Sequence, residues 1–229
     1  MHDIVYILKN EITTDELKYS IRSVEKNFID RRNIWFAGGK PVGIEPDHYL
    51  HINQTGSNKW QKVSNTLKII CTTPEISENF WLFNDDFFIM HPIAEIPAAV
   101  DGTMNKRIKE LIQKNNLSNY AKELLATKRA LENRGYDTLN YALHIPMLIN
   151  KEKALNTLYE FPYNPMFRCL YGNMYNTAQV VMPDVKIYLE NITPKSNEIL
   201  LSTSDKSWTY GKVGEYIRKH FPEKSSYET

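Results

Sequence analysis

The sequence predicts an α/β fold in which helices flank a mainly parallel sheet. Two observations support this prediction: short apolar runs alternate with segments of helical periodicity, and 42% of the 229 residues are hydrophobic, which suits a packed core. We interpret residues 1–222 as a single domain with a helical insertion at about 101–135, and residues 223–229 as a frayed polar tail. In open sheets of this kind, ligands bind at the carboxyl ends of the strands.

The first half of the chain alternates strands with helices. Ile4–Leu8 is a short apolar run that suits an interior parallel strand. Thr13 and Glu16 fit a capping box and predict the start of a helix, whose apolar face carries Leu17, Ile21, Val24 and Phe28. Further strands are predicted at residues 33–37, 48–52 and 79–84, with a helix at 59–71.

The second half begins with the helical insertion. It contains two predicted helices, around Met104–Lys114 and Tyr120–Arg134, which we expect to cover the site or to bind an acceptor. The remainder is predicted to add an apolar run at 141–147, a helix at 151–159, a strand at 185–189 and a closing helix at 210–220.

Charge and cysteine content limit the classes of function and location. The net charge is +1, from 28 basic and 27 acidic residues, which argues against a broad nucleic-acid or membrane surface. Cys71 and Cys169 show no metal-type spacing, so we expect no disulfide framework and a reducing compartment. With no secretion signal and no transmembrane segment in the sequence, we expect a cytoplasmic protein. Peripheral docking at a membrane through a partner stays open.

The most informative segment is Phe83–Phe88, which places an amide and two carboxylates at the end of a predicted buried strand. Carboxylates there need hydrogen bonds, a proton or a cation. Strand alternation predicts that Asn84 and Asp86 share one face and that Asp85 lies on the other. An oxygen pair at i and i+2 can hold Mg²⁺ or Mn²⁺, although Asn and Asp after a strand also suit a plain turn.

Three separated blocks carry a resemblance to a known family. They are residues 15–27, residues 76–88, and the segment from His144 to Glu152 with Arg168 after it. Together they resemble the Stealth family of sugar-phosphate transferases, which includes bacterial capsular polysaccharide phosphotransferases and the lysosomal-enzyme GlcNAc-phosphotransferase. The resemblance implies a GT-A-like nucleotide-sugar-binding fold.

This chain departs from the family's pattern at two places. After Tyr6 it continues as Ile7-Leu8-Lys9-Asn10, where family members usually have Trp-Val-Asp-Gly, so a role for that aspartate has no support here. The family's last motif has no clear match, and Asp184 and Asp205 are the candidates for it.

The resemblance implies a reaction and a set of site residues. A hexose-1-phosphate would pass from a nucleotide diphosphate sugar donor to a glycan or other hydroxyl acceptor, in capsule or surface polysaccharide synthesis. Mg²⁺ or Mn²⁺ would be held by Asn84, Asp85 and Asp86, with Asp85 also a catalytic candidate. Arg168 would meet the phosphoryl group, and His144 would act as base or metal ligand.

Three further residues are candidates for substrate binding. Arg22 and Lys26 lie one turn apart on the first helix and could approach a diphosphate, although a solvated helix face explains such a pair equally simply. Asn65 is a candidate nucleotide contact. Lys59, Lys62 and Lys68 are predicted to be solvent charges.

Simpler explanations stay open for the site and for the function. His144 would also suit a structural role in an apolar strand, and Arg168 a surface or ion-paired one. The alternative functions are a GT-A glycosyltransferase that releases nucleoside diphosphate and an inactive glycan-binding homologue. The nucleotide that leaves the donor separates the two enzyme classes.

Overall fold

The computed structural model describes residues 1–10, 14–114, 118–163 and 166–229, so Thr13 of the predicted capping box lies outside the described residues. The strands are β1 (His2–Leu8), β2 (Arg31–Gly38), β3 (His48–His51), β4 (Asn79–Phe83), β5 (Phe87–Ile89), β6 (Ala99–Val100), β7 (Met147–Asn150), β8 (Val180–Val181), β9 (Lys186–Ile187) and β10 (Leu200–Thr203). The helices are α1 (Thr14–Asn27), α2 (Lys59–Thr72), α3 (Met104–Gln113), α4 (Asn119–Glu132), α5 (Lys151–Glu160), α6 (Phe167–Tyr175), α7 (Asp205–Thr209) and α8 (Lys212–His220).

The main sheet has the strand order β3-β2-β1-β4-β7. Neighbouring strands from β3 to β4 are parallel, and β7 is antiparallel to β4 at the edge. The mainly parallel sheet is therefore confirmed. The chain runs from β1 outward to β2 and β3 and then returns to the other side of β1 for β4. The order thus reverses between β1 and β4, and ligands of open α/β sheets bind outside the carboxyl ends of strands at such a point.

Helices cover both faces of this sheet. Ile4, Val5 and Tyr6 of β1 are fully buried, as expected for a parallel strand with helices on either side. Ile4 and Tyr6 share a cluster with Leu17 of α1, whereas Val5, which faces the other way, packs in a cluster with Leu67 of α2. The apolar periodicity of each helix thus places it on one face of the sheet.

A smaller sheet follows the acidic segment directly. Its order is β5-β10-β9, with β10 antiparallel to β5 and parallel to β9. β6 and β8 form a separate parallel pair. The small sheet matters for the site because it brings Lys186 of β9 and Ser202 of β10 into register with each other, next to the end of β4.

Residues 141–146 form no strand, although the sequence predicts an apolar run there. Their backbone groups are bonded by side chains instead of by a neighbouring strand. The N–H of His144 donates to Asp184, and Arg168 donates to the carbonyls of Leu143 and Ile145. These bonds leave residues 142–144 of the segment in the lining of a cleft.

The polar tail is packed rather than frayed, so that part of the prediction is wrong. Glu228 accepts two hydrogen bonds from Arg22, each of 2.7 Å, and the two side chains are 4% and 10% exposed. Tyr227 donates to Asp47 at 3.0 Å. A buried, doubly bonded ion pair fixes the tail against α1.

Two further observations bear on location and redox state. Cys71 and Cys169 are both buried and free. No helix formed by the described residues combines the length and the apolar character needed to cross a membrane.

Candidate functional site

A cleft of about 1330 Å³ opens at the carboxyl ends of β1 and β4. Lys9 and Asn10, which follow β1, and Asn84 and Asp85, which follow β4, line it. On one side the wall comes from residues 54–63 around the start of α2. On the other side it comes from α3, the 140–144 segment, α6 and residues 184–188. The cleft thus occupies the place where the strand order reverses, as the position of ligand sites in such sheets predicts.

The acidic segment is a turn rather than a continued strand. β4 ends at Phe83, and the N–H of Phe87 donates to the carbonyl of Asn84 at 3.3 Å to close a turn. Strand alternation therefore stops before Asn84, and the expectation that Asn84 and Asp86 share a face does not hold. Asn84 and Asp85 line the cleft, whereas Asp86 is directed toward the small sheet.

Asp86 belongs to an ion pair. Its Oδ2 accepts a 2.7 Å hydrogen bond from Lys186 Nζ and a 3.1 Å hydrogen bond from Ser202 Oγ. Burial alone would lower the pKa of Lys186, but the Asp86 carboxylate raises it above its ordinary value. Lys186 lines the cleft, so Asp86 holds a charged ammonium group at the cleft wall.

Asp85 is the acid that faces the cleft. Burial raises the pKa of its carboxyl, and the neighbouring Asp86 charge raises it further, while Lys9 acts in the opposite direction. Mg²⁺ sites commonly combine one or two carboxylates with water and phosphate oxygens, and Asp85 with the Asn84 amide oxygen fits that donor set. Within the described ranges, no three His, Cys, Asp or Glu side chains form a metal-ligand cluster.

His144 forms a dyad with Asp184 at the cleft wall. Its Nδ1 lies 2.7 Å from Asp184 Oδ2, and its backbone N–H donates to Oδ1 at 2.9 Å. Burial alone would raise the pKa of Asp184, but the hydrogen bonds and charge of His144 lower it below its ordinary value. With a proton on Nδ1, the ring has its Nε2 lone pair free. The arrangement suits a general base oriented by a carboxylate.

Arg168 lies beside His144. Its Nη1 donates to the carbonyls of Ile145 and Leu143, at 2.5 and 3.3 Å, so it bonds the chain on both sides of the histidine. Its Nη2 is buried and has no hydrogen-bond partner among the residues described. Burial lowers the pKa of Arg168 to about 10, and it stays charged at neutral pH. The charges of Asp86 and Asp184 offset the burial of this cation only in part, which makes the position favourable for an anion.

The predicted substrate contacts lie elsewhere. Arg22 is bonded to Glu228, and the Lys26 ammonium sits 5.5 Å from the centre of the Phe221 ring. The Asn65 amide donates to the carbonyl of Thr55 at 2.9 Å and braces the loop before α2. None of these three side chains lines the cleft.

Several residues that line the cleft were not candidates from sequence. Lys59 and Lys62, predicted as solvent charges, lie in its wall at the start of α2. Lys186 and Tyr188 lie there too, although the sequence places them only in a short strand of no assigned function. The sequence did contain a signal that these two lysines lie at a ligand site. They lie in the first turn of a predicted helix, and helix N-termini attract anions. No local signal marks Lys186, since its partner is 100 positions away.

Comparison with known proteins gives a likeness of fold. The crystal structure of the galactosyltransferase LgtC in complex with donor and acceptor sugar analogs matches with a TM-score of 0.54 and 10% identity. The match covers 98% of this chain and 96% of that one. The fold is GT-A-like. No protein-family model matches the sequence, and no curated protein does.

Proposed function

We propose that this chain transfers a hexose-1-phosphate from a nucleotide diphosphate sugar to a hydroxyl of a glycan, in capsule or other surface-polysaccharide synthesis. The observation that carries the proposal is the grouping of the His144–Asp184 dyad, Arg168 and the acidic turn around one cleft. The Stealth-like blocks of the sequence and the GT-A-like fold support the same reaction class.

The donor is assigned to the half of the cleft formed by β1 and α2. Lys9, Lys59 and Lys62 line this half and supply positive charge for a diphosphate. The first turn of α2 adds the positive end of a helix dipole, behind its cap residue Asn58. The Trp60 ring also lines this half and offers a flat surface for a nucleobase.

The acidic turn offers oxygen ligands for a divalent cation at the cleft wall. Asn84 and Asp85 are the residues that would hold it, and a bound Mg²⁺ or Mn²⁺ would neutralise charge on the diphosphate. Asp86 contributes through Lys186 instead, because its carboxylate keeps that ammonium at the cleft wall.

The dyad and Arg168 supply the remaining chemistry. The acceptor oxygen attacks phosphorus while its proton passes to His144 Nε2, and the bond from phosphorus to the nucleoside monophosphate oxygen breaks. Asp184 stabilises the imidazolium that forms, because its carboxylate already holds Nδ1. Arg168 stabilises the negative charge that develops on the phosphoryl oxygens.

The test is the identity of the released nucleotide. Purified protein is incubated with UDP-, GDP- and CDP-linked sugars, Mg²⁺ or Mn²⁺, and a panel of glycan acceptors, and the products are separated by chromatography. Acceptor-dependent release of nucleoside monophosphate is expected, with loss of turnover in His144→Ala. His91→Ala is the matched control, because His91 bonds the Ser196 carbonyl away from the cleft.

The second candidate is a glycosyltransferase on the same scaffold. The fold likeness to a galactosyltransferase favours it. Attack at the anomeric carbon would then release nucleoside diphosphate, and that product would overturn the phosphotransfer proposal. Sugar binding without any turnover, across the donor panel, would instead indicate an inactive glycan-binding homologue.

A further inference from the structure

Tyr188 is an exposed aromatic side chain at the cleft. It follows β9 directly, lines the cleft and keeps 56% of its surface accessible. The next residue, Leu189, is 62% exposed. A large ring left open to solvent in a concave site is typical of a ligand contact rather than of core packing.

The ring lies next to the proposed base. Its centre is 6.4 Å from that of His144, and the two planes are nearly perpendicular at 89°. The Lys186 ammonium lies 5.8 Å from the ring centre. A molecule that contacts the Tyr188 ring therefore has its edge within reach of His144.

Polar side chains from the helical insertion line the same cleft. Arg107 and Glu110 of α3 form an ion pair of 3.1 Å, and Asp101 lies just before this helix. All three line the cleft.

The chemistry of this region suits the pyranose ring of a sugar. A pyranose offers an apolar C–H face to an aromatic ring and a rim of hydroxyls to carboxylates and guanidinium groups. The ammonium group near the Tyr188 ring, that of Lys186, is already paired with Asp86. The cationic α2 side of the cleft is the better place for the diphosphate.

We infer that Tyr188, with Asp101, Arg107 and Glu110 in the wall of the same cleft, forms a subsite that binds the pyranose ring of the acceptor and presents its hydroxyl to His144. The kinetic test of this inference rests on the proposed transferase function. The subsite itself binds a sugar whether or not the chain turns over a donor.

The experiment measures sugar binding and kinetics separately. Saturation-transfer NMR with free glucose, galactose, N-acetylglucosamine and N-acetylmannosamine reports binding without turnover. At least one sugar is expected to give a signal with the wild type and with Tyr188→Phe, which keeps the ring, and to lose it with Tyr188→Ala. Tyr210→Ala is the matched control, because Tyr210 is 76% exposed and lies outside the cleft. Retained binding in Tyr188→Ala, or no binding of any sugar by the wild type, would overturn the subsite.

The kinetic arm distinguishes the subsite from the reaction. In Tyr188→Ala the acceptor KM is expected to rise about tenfold or more, equivalent to the loss of one ring contact, while the donor KM stays within about twofold. A rise in donor KM instead would place the nucleotide on Tyr188 and overturn the inference. Sugar binding that depends on Tyr188 in a protein that releases nucleoside diphosphate would keep the subsite and refute only the phosphotransfer chemistry.

Discussion

The Asp86–Lys186 ion pair allows a sharp test of how the acidic turn works. The two charged atoms are 2.7 Å apart, and the side chains are only 13% and 15% exposed. Removing one partner of a buried pair leaves an uncompensated charge and costs about 3–5 kcal/mol. Because both side chains keep some contact with solvent, we expect Asp86→Asn and Lys186→Met each to destabilise the protein by about 2–3 kcal/mol.

The double variant separates an ion pair from two independent contacts. With both charges removed, no buried charge is left unpaired, so the loss of stability should be smaller than the sum by about 1–2 kcal/mol. Urea unfolding of the four proteins, followed by circular dichroism, measures the coupling. If the losses of unfolding free energy are additive, with a coupling below about 0.5 kcal/mol, Asp86 and Lys186 do not stabilise the protein as a pair, and the reasoning is refuted.

Measuring activity against Mg²⁺ concentration tests the role of the Asp86–Lys186 pair in catalysis. If Asp86 acts by positioning Lys186, both single variants raise the donor KM by a similar factor and leave the Mg²⁺ midpoint of activity unchanged. Asp85→Asn is the matched comparison, because Asp85 faces the cleft and its loss should shift that midpoint to higher Mg²⁺. A shift of the midpoint in Asp86→Asn but not in Lys186→Met would show that Asp86 is a metal ligand.

Three other predictions concern the base, the pH dependence and the tail. Asp184→Asn should lower kcat by about 10²–10⁴ in a protein that still folds, since the amide no longer fixes the proton of His144 Nδ1; a normal kcat would remove the dyad from the mechanism. Burial raises the pKa of Glu16 from 4.5 to about 7, so its ionisation should destabilise the fold as pH rises across that range. Urea unfolding should therefore show Glu16→Gln gaining stability relative to wild type at pH 8 compared with pH 5, and no pH dependence of the difference would contradict this. Arg22→Ala should lower stability by about 3–5 kcal/mol through the unpaired Glu228 while the donor KM of the folded protein stays unchanged; a raised donor KM would return Arg22 to the substrate site.

The parallel part of the fold was predictable because its signals are local. Ile4–Leu8 is a continuous apolar run, and the apolar face of α1 repeats at helical spacing. The structure has a strand at His2–Leu8 and a helix at Thr14–Asn27. β10 and α7 escaped prediction, since four and five residues carry too little periodicity to be recognised.

The site was predictable only in part, because partners distant in sequence decide which way a side chain faces. Asp85 and Asp86 are adjacent and chemically alike. One faces the cleft and the other faces Lys186 because β4 ends at Phe83; the Asn and Asp residues after the strand suited a turn as well as a longer strand, so the sequence left both open. Arg22 was placed correctly on the polar side of its helix, but its partner Glu228 is 206 residues away. Helical periodicity indicates a face and gives no information about what covers it.

The position of Arg168 bears on which atom of the donor is attacked. Its guanidinium group bonds the carbonyls of Leu143 and Ile145, so the cation is tied to the same short segment that presents His144. A hydroxyl that gives its proton to His144 therefore reacts close to a buried positive charge. Attack at an anomeric carbon gives the sugar an oxocarbenium-like positive charge, which a guanidinium destabilises, and builds negative charge on the departing diphosphate, which it stabilises. Attack at phosphorus builds negative charge on the phosphoryl oxygens, which the same group stabilises. The buried cation beside His144 is thus compatible with the proposed attack at phosphorus, on a scaffold whose fold alone is equally compatible with glycosyl transfer.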